Sequence, residues 1–182
     1  ILVIATSKDT AKNLITKVRI MYEALPAWLK TAIVENNKLS LIFKNGSQIK
    51  AIASNESAGR SEALSLLIID EAAFIDKIDT IWTAAQQTLA TGGRCLAIST
   101  PNGVGNWFHK TWQDAQDGVN KFNTIKLHWT CHPERNEDWR REQDRILGPS
   151  QAAQECDADF LSSGRSVVDP AILEWYKENA CC

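Results

Sequence analysis

No apolar run in this 182-residue chain is long enough and free enough of charge to cross a membrane. The opening residues lack the basic-then-apolar order of a secretion signal, so export is not expected. Cysteine is scarce and scattered: Cys95, Cys131, Cys156, Cys181 and Cys182 make an odd set of five without a Cys-x-x-Cys pair. That pattern predicts reduced thiols rather than a disulfide framework, and a satisfied loop rather than zinc at His128, Cys131 and His132. Strong charge of either sign is missing too, the formal net charge being -2. Composition therefore neither supports nor excludes nucleic acid, which a local basic strip or a partner domain would have to attract. There is no internal repeat, no low-complexity tract and no initiator methionine, and the chain reads as cut at both ends.

What is present is organised around Leu64 to Ala73. Leu66 to Ile69 are four apolar residues in succession, which predicts a strand covered on both faces, as in the middle of a parallel sheet. Asp70 and Glu71 follow at once. Alternation along a strand sends them in different directions, so that one can hold a metal while its neighbour faces a water, the division of labour that nucleotide hydrolysis needs. The competing reading is a strand end whose acids cap the next helix.

The rest of the chain supplies a frame for that strand. Ile1 to Thr6 reads as another apolar strand. Ala11, Leu14, Ile15, Val18, Met21, Tyr22 and Leu25 recur at helical spacing up to Pro26, with Ser7 or Asp9 placed to cap the start. Leu39 to Phe43 and Ile49 to Ala53 flank Asn45-Gly46, the pattern of a hairpin. The small polar loop from Ser54 to Ser61 presents one cation, Arg60, just ahead of the acids; a solvated or salt-bridged surface arginine is the plain alternative. Ile78, Ile81, Trp82, Ala85 and Leu89 predict a one-faced helix ended by Gly92-Gly93. Cys95 to Ile98 predicts a strand that ends in Ser99-Thr100-Pro101-Asn102-Gly103, so two polar clusters are expected outside the carboxyl ends of parallel strands, where such sheets bind ligands.

Beyond Asn106 the chain becomes rich in tryptophan. Trp107, Trp112, Trp129 and Trp139 read as core rather than as a platform for stacked bases, and Phe122 to Trp129 alternates as a strand would. Arg135, Arg140, Arg141 and Arg145 stand among acids, as on a solvated helix face. Ser150 is placed to cap a short helix to Cys156. Ser162 to Ser166 has the composition of a linker, and Asp169-Pro170 opens a last helix.

Ala58-Gly59-Arg60-Ser61, the acidic box Leu66 to Phe74 and Ser99-Thr100-Pro101-Asn102-Gly103, in this order and spacing, resemble the ATPase domain of the large terminase subunit of tailed bacteriophages. Leu25-Pro26-Ala27-Trp28-Leu29 and Asp159 to Gly164 look similar too, so the resemblance spans nearly the whole chain. It implies an α/β fold: a RecA-like P-loop NTPase core with a mainly parallel central sheet flanked by helices, plus a small lid-like subdomain. Residues 1–103 are expected to be the partial core, 104–161 the lid and 162–182 a linker toward a nuclease domain.

By the same resemblance, Asp70 matches the Walker B carboxylate that binds Mg²⁺ and nucleotide, and Glu71 the catalytic glutamate. Thr100 and Asn102 match the motif that couples hydrolysis to movement, and Arg60 an arginine finger. ATP and Mg²⁺ are the implied cofactors. Double-stranded DNA, a portal protein, a small terminase subunit and further copies in a ring are the implied partners, in the host cytoplasm at the procapsid. The departure from the family is that no Gly-x-x-x-x-Gly-Lys-Ser/Thr-like phosphate loop occurs in these residues, which predicts that the isolated chain is inactive. A helicase-like ATPase and a non-catalytic interaction module are the alternative readings.

Overall fold

The computed structural model describes residues 1–54, 63–90, 92–163, 172, 175–176 and 179–180. Arg60 with its loop, and most of the helix expected from Asp169, lie outside the described residues. The chain divides into two compact units, Ile1–Ser99 and Thr100–Cys182.

The first unit is built on a six-stranded sheet in the order β2-β3-β4-β1-β5-β6. Its strands are β1 (Leu2–Ala5), β2 (Ile33–Asn37), β3 (Ser40–Phe43), β4 (Gln48–Ala53), β5 (Leu66–Asp70) and β6 (Arg94–Ile98). β4, β1, β5 and β6 run parallel, while β2 and β3 return antiparallel against β4. The Asn45-Gly46 hairpin forms as expected between β3 and β4, with Gly46 at φ +81°. β2 went unseen in the sequence because four of its five residues are exposed, so no apolar alternation betrays it.

Helix α1 (Lys8–Ala24) is started by Ser7, whose hydroxyl accepts the Thr10 N–H at 3.1 Å. It lays Ala11 and Ile15 against Val3, Ala5, Leu41 and Ala51 of the sheet. Helix α2 (Ile78–Leu89) joins β5 to β6 and buries Ile78, Ile81 and Ala85. Ile4, Ile15, Leu41, Leu67, Ile69 and Ile81 are almost wholly enclosed. At roughly 1.5–3 kcal/mol for each such side chain, burial outweighs any single cap, worth about 1 kcal/mol. The expectation for β5 needs one refinement: Leu67 and Ile69 are fully covered, whereas Leu66 and Ile68 are only half-buried.

In the second unit, α3 (Trp107–Gln116) is capped by Asn106, and α4 (Glu137–Leu147) by Asn136. A short helix α5 (Pro149–Ala152) runs into a π-turn at Ala153–Asp157 that ends on Ala158 at φ 51°. The strand expected at Phe122 to Trp129 does not form. Ile125 and Leu127 are about three-quarters exposed, at 74% and 75%, Phe122 is half-buried, and Trp129 alone of this stretch is buried, in a 3-10 turn at Trp129–Cys131. The alternation was real but has no strand to pair with among the described residues.

The tryptophan reading holds for Trp107 and Trp129, which are buried, while Trp112 and Trp139 are half-buried. Trp129 lies 6.1 Å from the Trp139 ring, and Arg135 stacks over Trp139 at 4.4 Å. Arg140 is not the solvated residue expected. It grips Asp157 in a two-pronged pair, at 3.0 and 2.7 Å, and also reaches Asp144, so it binds α4 to the π-turn. The guanidinium holds Asp157 below the usual carboxylate range. Ser150 does not cap; Gly148 stands at that position, and the Ser150 hydroxyl donates to the Ser162 carbonyl at 2.6 Å.

Gly93 shows how tightly the start of β6 packs against Leu64 and Leu89. A Cβ there would lie 2.0 Å from the Leu64 carbonyl oxygen and 2.7 Å from Leu89, whereas one at Gly46 would meet nothing within 4 Å. Gly93→Ala is expected to destabilise by about 1–3 kcal/mol or more through overpacking, and Gly46→Ala by only about 1 kcal/mol through its positive φ. Urea unfolding of the two variants checks the order; a smaller loss at Gly93 would contradict this packing.

Candidate active site

β5 delivers the first carboxylate. It is flanked by β1 and β6, with Leu67 paired to Leu2 and Cys95, and Ile69 to Ile4 and Ala97. That register puts Leu67 and Ile69 on the covered face. Asp70, the last residue of the strand, falls on the other face with Leu66 and Ile68, beside its register partner Ile98. Asp70 is half-buried, and among the described residues no ion pair reaches it.

Glu71 is placed differently from the sequence expectation. It is not a further strand residue but sits in the left-handed region at φ 54°, ψ 46°, where it ends β5 and starts a 3-10 turn at Ala72–Phe74. The carboxylates part because the backbone kinks, not because a strand alternates. A non-glycine residue there costs on the order of 1–2 kcal/mol, and strain of this kind gathers at functional sites. Glu71 occupies the capping position of the turn, yet its side chain makes no capping hydrogen bond, which weakens the plain reading of the acids as helix caps. It is exposed.

Two features hold the kink. Ala72 and Ala73 are buried, so the turn is anchored by packing. The Ala73 N–H donates to the Ser99 hydroxyl at 3.1 Å, which ties the residue after the kink to the end of β6. Ser99 was noticed in the sequence only as part of a polar cluster; its adjacency to the acidic turn requires knowing that β5 and β6 are neighbours. Burial pushes the Cys95 thiol on β6 up to about 12, which disfavours the reactive thiolate.

The second polar cluster opens the other unit. Thr100 and Asn102 are half-buried, Pro101 is fully enclosed and Gly103 has φ +75°. Asn106 organises this turn: its side-chain oxygen accepts the His109 N–H at 3.0 Å, while its amide donates to the Asn102 carbonyl at 2.8 Å and the Gly103 carbonyl at 3.3 Å. The Gly103 N–H donates to the Ser163 hydroxyl at 2.9 Å, which donates in turn to the Phe160 carbonyl at 2.9 Å. Gly105 donates to His109 Nδ1 at 3.2 Å, and burial lowers that imidazole below its usual range. Asn106 had a readable signal, an Asn just before a periodic helical run. Ser163 had none.

The sequence profile described as terminase large subunit, T4likevirus-type, N-terminal, matches residues 1–168. The chain belongs to the terminase large-subunit family. The ATPase domain of the Thermus phage P74-26 large terminase has the same fold, with TM-score 0.60 at 24% identity, over 87% of this chain and 75% of that one. So does the large terminase of a second, thermophilic bacteriophage, solved in complex with ADP, with TM-score 0.64 at 13% identity, over 87% of this chain and 40% of that one. The Mu-like prophage FluMu protein gp28 of Haemophilus influenzae is 36% identical over 93 residues, half of this chain and 18% of its own length. The terminase segment thus spans about two fifths of the ADP-bound phage protein and under a fifth of gp28. The RecA-like α/β fold expected from the sequence is the fold found. Among the described residues no helix is long and apolar enough to cross a membrane.

The strain at Glu71 can be measured apart from its carboxylate. Glu71→Gly is expected to be about 1 kcal/mol more stable than Glu71→Ala, because both lack the acid and only glycine is at ease at φ 54°. Equal thermal midpoints for the two variants would mean that the left-handed conformation is not held in solution.

Proposed function

We propose that this chain is the ATP-hydrolysing motor segment of a DNA-packaging terminase large subunit, with Asp70 and Glu71 as its acidic pair. The observation that carries the reading is the carboxylate at the carboxyl end of a buried parallel strand, followed at once by a second one turned aside by a left-handed residue. Family membership and the ADP complex of the thermophilic phage's terminase support it.

Mg²⁺ suits what is present. It is held through one or two carboxylates together with nucleotide phosphates, and Asp70 offers hard oxygens at a half-buried position that no ion pair occupies among the described residues. When bound, the metal supplies neutralisation of phosphate charge. Asp70 holds it in this reading, and Glu71, exposed beside the strand end, orients a water and takes its proton. Thr100 offers a hydroxyl and Asn102 an amide for nucleotide or water. The phosphates themselves need the backbone cradle and lysine of a phosphate loop, which these residues do not contain, so the ATPase requires that loop from outside them. The outer face of β6 is suited to receive further chain: Leu96 and Ile98 are 47% and 48% exposed on an edge strand, where apolar side chains are otherwise a hazard. Double-stranded DNA, a portal, a small subunit and a ring of copies at the procapsid belong to the same proposal.

In the complete protein, Glu71→Gln is expected to bind ATP normally and lose about 10²–10⁴-fold in turnover, whereas Asp70→Asn weakens Mg²⁺-dependent nucleotide binding itself. Steady-state turnover and calorimetry separate the two, and unchanged turnover in Glu71→Gln would sink the assignment.

Arg60 is proposed to act in trans, stabilising the charge of the transferring phosphoryl group in a neighbouring subunit, an effect worth about 10³–10⁵-fold where it operates. Arg60→Ala and Glu71→Gln should each be nearly inactive alone. Mixed rings should regain ATPase, because the Glu71→Gln subunit lends its arginine to an intact carboxylate. Verified mixed assemblies without recovery would contradict action in trans.

A further inference from the structure

The turn from Thr100 to Gly103 is fixed by a residue far along the chain. Ser163 is 3% exposed, accepts the Gly103 N–H and donates to the Phe160 carbonyl. Such a buried hydroxyl satisfies two backbone groups at once, and its loss strands a donor at a cost of about 1–3 kcal/mol. Ser163 has little freedom to follow the turn on its own. Phe160 packs its ring on α3, 6.0 Å from Phe108, 5.0 Å edge-on from His109 and 6.0 Å from Trp112. Asp159 accepts from the N–H groups of Leu161 at 3.1 Å and Ser162 at 3.2 Å, and from the Ser162 hydroxyl. Ser162 and Ser163, expected to begin a flexible linker, are therefore bonded on both sides.

We infer that Ser163 is a positioning residue for the Thr100–Gly103 turn, holding it through the Gly103 amide and tying it to Phe160, packed on α3. The inference rests on the reading of that turn as part of the ATPase and deepens it. A turn with φ +75° at Gly103 and the Asn102 and Gly103 carbonyls taken by Asn106 has few ways to relax locally. Any shift of Thr100 or Asn102 when nucleotide changes must either break the Gly103–Ser163 bond or carry Ser163 along. The bond thus offers a mechanical route from the turn to the Phe160 packing on α3.

The experiment compares Ser163→Ala, Ser163→Cys and Ser163→Thr in the complete protein, reading ATP turnover, the KM for ATP, the length of DNA moved per ATP and hydrogen exchange at the Gly103 amide. Ser163→Cys keeps the volume and removes the good acceptor; Ser163→Thr keeps the acceptor. Expected for Ala and Cys are faster Gly103 exchange, a KM close to that of wild type and a loss in DNA moved per ATP. Thr is expected to restore all three. Wild-type DNA movement per ATP in the Cys variant, or a Thr variant that fails as badly as Cys, overturns the inference. A wild-type protein that hydrolyses no ATP overturns the ATPase reading instead, and Gly103 exchange unchanged by Ser163→Cys overturns the latch whichever way the ATPase result falls.

Discussion

The pairing of β5 between β1 and β6 is the constraint on which the first unit depends. Burying Leu67 and Ile69 fixes the register, and with it the face and the depth at which the strand ends. Asp70 cannot shift by one residue without turning Leu67 and Ile69 away from the core, a loss of several kcal/mol. The position of the acid is therefore set by hydrophobic burial, not by any interaction of its own. Glu71 follows from the same logic in reverse. The chain must leave the strand quickly to bury Ala72 and Ala73, and Glu71 is the left-handed residue that makes this possible.

The second unit is held by different forces. Its helices bury few residues, and much of its definition comes from side chains bonded to backbone: Asn106 and Asn136 at helix starts, Ser163 at the turn, Asp159 in its own loop. The charge-assisted pair from Arg140 to Asp157 and the packing of Phe160 on α3 supply the longer-range ties. Polar ties of this kind are directional and break in discrete steps, in contrast to the continuous apolar packing of the sheet.

How much of this was legible depended on whether the signal was local. The strand at β5, helix α1 with its Ser7 cap and the Asn45-Gly46 hairpin are written in neighbouring residues, and the sequence shows them. β2 is written nowhere locally, because an exposed edge strand has no buried face to pattern. Phe122 to Trp129 misleads for the converse reason: alternation reports amphipathicity, not the existence of a pairing partner. The two acids were visible at the end of the apolar run, but the geometry at Glu71 was not, since nothing in Asp-Glu-Ala-Ala demands a positive φ. Ser163 was read as linker composition, and only the fold brings its hydroxyl to Gly103.

The most direct test of the account is a structure of the complete protein with Mg²⁺ and a non-hydrolysable ATP analogue. The account predicts the metal at about 2.0–2.1 Å from an Asp70 oxygen or one water away, and a Glu71 oxygen about 2.6–3.2 Å from a water in line with the terminal phosphate. A metal held without Asp70, with the water positioned by a residue other than Glu71, would contradict it.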